Sequence, residues 1–146
     1  MSGRLGGTML KQIDRHLTAH NDIVLLVARL LIAALFLIAG YNAFKSLGPS
    51  IGYFGRLGIP MPQIMTPFVA GFEIVVGALV AVGLFTRPAS LALAILVVFA
   101  ALIAHTNFAD GNQINHFLKC LGVIGGCLAL MVAGPGAYSV DAKKRW

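Results

Sequence analysis

Residues 67–105 read PFVAGFEIVVGALVAVGLFTRPASLALAILVVFAALIAH. Two apolar runs, Pro67 to Phe85 and Pro88 to His105, are separated by Thr86 and Arg87 alone. Each run is close to the ~20 residues a helix needs to cross a hydrocarbon core. A two-residue turn between them predicts an antiparallel helical hairpin. Pro67 and Pro88 are expected in the first turns of their helices, where a missing N–H costs nothing.

Two further runs flank the hairpin, one from about Asp22 to Phe44 and one from about His116 to Gly134. Gly134-Pro135-Gly136 is the expected stop for the last of them. Of the 146 residues, 58% are hydrophobic and 11% charged, and the mean hydropathy is +0.87. Soluble domains carry roughly 25% charged residues, so a chain this poor in charge could not cover a water-facing surface. The reading is an all-α integral membrane protein: a four-transmembrane-helix antiparallel bundle with an N-terminal interfacial helix. No linker or shift in composition divides residues 1–146, which are taken as one domain.

The net charge of +6 does not point to nucleic acid. The basic residues sit at the ends of apolar runs, where they meet anionic lipid headgroups. Cys120 and Cys127 are seven residues apart on one run, roughly 10 Å along a helix, too far to bridge. No metal-ligand spacing is present. The first run follows about twenty polar and basic residues without a cleavage signature and is read as a retained span. In Met9 to His20, Met9, Ile13 and Leu17 share one helical face, with Lys11, Asp14 and Arg15 elsewhere, as in a helix lying on a membrane surface. Ser50 to Gly58 is expected to be a loop packed on the mouth of the bundle.

Four spans place both tails on one side. That side holds Arg4, Lys11, Arg15, Arg87, Lys143, Lys144 and Arg145; the other holds Lys45 and Arg56, with Lys119 near it. The excess of basic residues assigns both the 1–21 segment and the 135–146 tail to the cytoplasm.

Charges inside the spans carry the functional reading, because each costs ~2.5–3.5 kcal/mol on insertion scales and so seeks the bundle interior and a partner. Glu73 lies roughly 9 Å deep from the non-cytoplasmic side and Lys119 roughly 5–10 Å. Gly77, and the Gly122-x-x-x-Gly126 motif, are expected to let two helices approach closely enough for Glu73 and Lys119 to meet. His105 and His116 lie at the same end, so Glu73, Lys119, His105 and His116 form the candidate ligand-binding or proton-relay group. Snorkelling of Lys119 and a purely structural Glu–Lys pair remain as alternatives. For the histidines, interfacial solvation is a simpler reading than metal binding. Arg29 stands apart, roughly 10 Å in from the cytoplasmic side, with Asp22 or Asp141 as its expected structural partner. Asn42 and Lys45 point away from the Arg29 face and are left out of the pocket.

An ordered set of motifs then accumulates: an arginine early in the first span, G-I-P-x-P (Gly58 to Pro62), Glu73 and G-L-F-T-R-P (Gly83 to Pro88). A histidine closing the third span, N-H-F-L-K (Asn115 to Lys119) and G-P-G-x-x-S-x-D (Gly134 to Asp141) complete it. From about Asp22 to Asp141 the chain resembles the DoxX family of small four-helix membrane proteins. The resemblance implies a multi-pass protein of the bacterial inner membrane, with a quinone as the candidate cofactor and a redox enzyme as the candidate partner. Some members look like membrane subunits of thiosulfate:quinone oxidoreductases. No haem-ligand pair, nucleotide fingerprint or redox dithiol is present, so the chain is at most a membrane subunit of an oxidoreductase.

Three functions compete: a redox-associated subunit binding a quinone-like or other small amphipathic molecule, a scaffold or assembly factor whose charges only fix helix packing, and a small transporter. The lipid bilayer is the one certain environment, and a homo-oligomer is compatible with all three.

Overall fold

The computed structural model describes residues 2–144, with side-chain surroundings described for 9–16, 18 and 20–144. The side chains of Arg4 and Leu17, and all of Arg145, lie outside the described residues. The elements are α1 (Ser2–Ala19), α2 (Asn21–Lys45), α3 (Leu47–Arg56), α4 (Pro62–Val82), α5 (Thr86–Ala104), α6 (Gly111–Ala133) and α7 (Val140–Lys143). Four of them, α2, α4, α5 and α6, are long and apolar enough to cross a membrane. There are no strands among the described residues.

The helices pack as a ring. α2 lies chiefly on α4, α5 chiefly on α6, the α4–α5 contact joins the two pairs, and a lighter α2–α6 contact closes the circuit. α4 and α6 are therefore diagonal to each other. The core is made by Phe36, Val76, Val80, Leu93, Ala94, Val97, Cys127 and Leu130. One end of the bundle gathers the start of α2, the α4–α5 turn, the end of α6 and α7. The other, the far end, holds α3 and the α5–α6 loop.

Small residues decide how close α2 and α4 come. A Cβ on Gly40 would stand 2.6 Å from the Ala70 carbonyl oxygen, and one on Gly77 would stand 3.3 Å from the Phe36 Cβ. Gly77 thus serves the α2–α4 seam. Gly122 has nothing within 4 Å of a Cβ position, and Gly126 has only Ile32 of α2, at 3.7 Å. The Gly122-x-x-x-Gly126 motif does not face α4, because the ring places α4 across the bundle.

Several boundaries differ from the sequence expectation. α4 starts at Pro62, on a left-handed Met61 (φ 47°), so Pro67 lies inside the helix rather than in its first turn. α6 starts at Gly111, five residues before His116, because the Asp110 carboxylate accepts the Asn112 N–H at 2.9 Å and caps it. Ser50 to Gly58 is mostly helix, not loop. In α3, Leu47, Ser50, Ile51 and Phe54 are partly buried at helical spacing, and the helix packs on α4.

The turn after α4 is Gly83-Leu84-Phe85, not Thr86-Arg87, which open α5. Gly83 adopts φ 73°, its N–H bonds the Val80 carbonyl (3.2 Å), and the Leu84 N–H bonds that of Leu79 (2.9 Å). This is the paired Schellman closure of a helix C-terminus, which a left-handed glycine makes cheap.

Candidate functional site

Two polar assemblies stand at opposite ends of the bundle. At the end carrying α7, residues Gly134 to Lys143 form a strap across the helix ends. Asp22 accepts the Ala137 N–H at 2.8 Å. Arg29, fully buried at 0% exposure, donates from Nη2 to the Tyr138 carbonyl. Asp141 accepts the N–H groups of Phe85 (2.9 Å) and Thr86 (3.0 Å), and its own N–H bonds the Gly83 carbonyl (2.9 Å). The Ser139 hydroxyl accepts the Ala142 N–H and caps α7.

The strap explains how α5 begins without a capping side chain of its own. Asp141 supplies the cap from 55 residues away, meeting the orphan N–H groups and the positive end of the helix dipole. α5 returns the service. Arg87 Nη1 donates to the last carbonyls of α6, Met131 (3.0 Å) and Val132 (2.8 Å), where a cation suits the negative end of that dipole. Burial tends to raise the Asp141 carboxyl. The Thr86 and Phe85 N–H bonds, the Thr86 side chain and the Arg29 charge together outweigh it, so the group is held below its ordinary value. Of the two carboxylates expected near Arg29, Asp141 is the one that interacts with it electrostatically.

At the far end, α2, α3 and α4 line an open cavity of about 500 Å³. Its polar lining is Glu73 and Thr66 from α4, Asn42 from α2, and Ser46, Ser50 and Tyr53 from the α2–α3 join and α3. Glu73 has no hydrogen-bond or ion-pair partner among the described residues. Thr66 is 1% exposed and its hydroxyl is also without a partner. The apolar part of the lining is Ala39, Ala43, Pro49, Phe54, Val69 and Ala70. A carboxyl, a hydroxyl and an amide there offer hydrogen bonds to a polar head in apolar surroundings.

The structure does not bring the four expected far-end residues together. Lys119 is exposed on α6 and unpaired, and His105, His116 and Lys119 do not line the Glu73 cavity. The expected Glu73–Lys119 pair is therefore corrected. Equal depth set their height, but the close approach of α4 to α2 at Gly40 turns Glu73 toward α2 and α3. His105 and His116 do meet, with rings stacked at 5.2 Å and 20°, and the His105 Nδ1 bonds the Gln113 Oε1 at 2.8 Å. That cluster pins the α5–α6 corner.

Asn42, Ser46, Ser50, Tyr53, Thr66 and Gln113 were not in the sequence-derived site, and Asn42 was placed outside it. A signal existed for three of them. Asn42, Ser46 and Ser50 recur every four residues across the α2–α3 join, one polar face of nearly continuous helix. Thr66 was hidden because the helix was expected to begin after it.

Residues 24–106 match the DoxX family. The chain belongs to the DoxX family. This DoxX protein is 35% identical to the inner membrane protein YqjF of Escherichia coli K12, over 86% of this chain and 97% of that one. It is 31% identical to the inner membrane protein YphA of the same organism, over 86% and 93%. A Mycobacterium tuberculosis membrane protein, Rv3486, is 32% identical over 94% and 91%. No solved structure matches. Family and fold agree on an integral membrane protein. The DoxX match ends at residue 106, so it contains Arg29, Glu73 and the α2–α4 cavity walls but not the strap.

Proposed function

We propose that this DoxX protein resides in the inner membrane and holds a quinone-like amphipathic molecule in the Glu73 cavity, on behalf of a redox enzyme partner. The names of YqjF and YphA support the location. Lys11, Arg15, Arg87, Lys143 and Lys144 at the α7 end, against Lys45 and Arg56 at the other, support cytoplasmic termini. The cavity then opens in the non-cytoplasmic half. One observation carries the ligand reading: Glu73 and Thr66, both inside a span, line a hollow of about 500 Å³, and neither side chain has a hydrogen-bond partner among the described residues. Buried polar groups are ordinarily satisfied, and a span offers no bulk water to do it.

A quinol hydroxyl would donate to the Glu73 carboxylate, and a quinone carbonyl would accept from Asn42. Glu73 also offers a place for one of the two protons that the bound quinol releases when its two electrons pass to the partner's electron carrier. The chain supplies binding and proton handling, and the partner supplies the electron carrier.

The test is native mass spectrometry of gently solubilised protein titrated with decylubiquinone. Retention that falls in Glu73→Gln and in Asn42→Leu is the expected result. No retention, or retention indifferent to both substitutions, refutes the reading.

The scaffold alternative draws on a different observation. The strap ties α2, α4, α5 and α6 together through Asp22, Arg29, Arg87 and Asp141, which is what a rigid docking platform needs. It expects full complementation by Glu73→Gln.

A further inference from the structure

The Glu73 cavity is not the only hollow that α2 lines among the described residues. A second, almost wholly apolar hollow of about 340 Å³ runs between α2 and α6, with Leu25, Ala28 and Ile32 on one wall and Gly126, Ala129 and Ala133 on the other. The two hollows lie on one side of α2. Ile32 and Ala39 are seven residues apart, about 20° around the helix and roughly 10 Å along it. Ile32 belongs to the apolar hollow and Ala39 lines the Glu73 cavity.

The same step on α6 reaches a charge. Ile32 touches the Gly126 position, and the helices run antiparallel. Seven residues back along α6 from Gly126 is Lys119, on the same face and at the height of Ala39. Leu35 and Ala39 on α2, and Lys119 and Gly122 on α6, are all exposed. Nothing meets a Cβ on Gly122. The facing sides of the two helices are thus uncovered over the far half of the bundle, although they touch over the near half.

We infer that these features form one amphipath track: a polar head in the Glu73 cavity, Lys119 at its rim, and a hydrocarbon tail in the α2–α6 seam. The inference rests on the reading that the cavity takes an amphipath, and adds where it enters and what holds its tail. Entry is sideways from lipid, between α2 and α6. The class of ligand is a long-tailed molecule whose head offers an acceptor to Lys119 and a donor to Glu73, as a prenylated or alkylated quinol does. Lys119, which has no partner among the described residues, gains one from the ligand. Small residues along α6 leave the room that the tail fills.

The probe is a ubiquinone analogue with a diazirine at the end of a decyl tail, photolysed on the solubilised full-length protein and mapped by peptide mass spectrometry. Label is expected on residues 25–32 and 126–133, and an excess of unlabelled decylubiquinone should suppress it. Ala129→Phe should reduce labelling about tenfold by overfilling the seam. Ala28→Leu, on the opposite wall, repeats the test if the first variant does not fold. Lys119→Met should weaken head retention while leaving the melting temperature unchanged. Label spread equally over lipid-facing positions such as Phe99 and Leu102, or seam label unmoved by both seam variants, overturns the track. If decylubiquinone is nevertheless retained in a Glu73-dependent way, the cavity reading survives that failure; if none is retained, both fall. Displacement of the label by phosphatidylethanolamine but not by decylubiquinone would make the occupant an ordinary lipid and also overturn the proposal.

Discussion

Replacing Asp141 with asparagine keeps the shape of the strap and removes its charge. Asp141 accepts two N–H groups at the start of α5 and faces Arg29. Losing an N-cap alone costs about 1 kcal/mol. The larger loss comes from Arg29, which is fully buried and would keep its charge without a counter-ion. Asp141 acts on that charge through space rather than as a direct ion pair, and is itself only half-buried, so the loss stays below the ~3–5 kcal/mol of breaking a buried pair. Asp141→Asn is therefore expected to destabilise the fold by about 1.5–3 kcal/mol, the weight of hydrogen bonds to a charged group, read from denaturant titration in mild detergent. Arg29→Met with Asp141→Asn should cost much less than the sum of the single changes, because the orphan charge goes with its partner.

The same contact sets a pH dependence. The Asp141 carboxyl is depressed in the folded protein, so its stabilisation is complete above the ordinary aspartate value, about 3.9. It is lost as pH falls through the lower folded value. The wild-type protein should weaken below about pH 4, and Asp141→Asn should lack that component of the acid loss. Additive single and double variants, or an Asp141→Asn protein within about 0.5 kcal/mol of wild type, would refute this account of the strap.

Gly83→Ala places a Cβ 1.8 Å from the Arg29 Nη1 position in a left-handed turn; a loss of at least about 2 kcal/mol in detergent stability is expected. Gly40→Val drives a side chain into the Ala70 carbonyl and Ile74, and should cost about 1–3 kcal/mol by prising α2 from α4, visible as a lower melting temperature. Lys119→Met should lie within about 0.5 kcal/mol of wild type by the same titration, since Lys119 is exposed and has no hydrogen bond or ion pair among the described residues.

The spans were legible because length and hydropathy are properties of a run, and a run can be counted. Their ends were less so. Hydropathy marks where lipid begins, whereas a helix begins where its first N–H groups find acceptors, at Asp110 for α6, or where a proline can open it, at Pro62 for α4. Arg29 could be matched to Asp22 or Asp141 from depth alone because all three belong to one end of the bundle. Glu73 and Lys119 show where depth fails. Height along a helix follows from counting residues, but direction around it depends on which neighbour comes close. Gly40, with no side chain to hold α4 away, settled that direction. The polar face formed by Asn42, Ser46 and Ser50 was readable, and breaking the chain into a span and a loop concealed it.

Arg29 donates to a carbonyl 109 residues further along the chain. During synthesis at about 5–20 residues per second, roughly 5–20 s separate the two. Throughout that interval the first span sits in the bilayer with an uncompensated guanidinium, so α2 cannot reach its final state until the strap has been made. A ribosome that stalls before Tyr138 would therefore strand a helix made long before, and quality-control proteases would meet the fault in α2 rather than at the point of arrest.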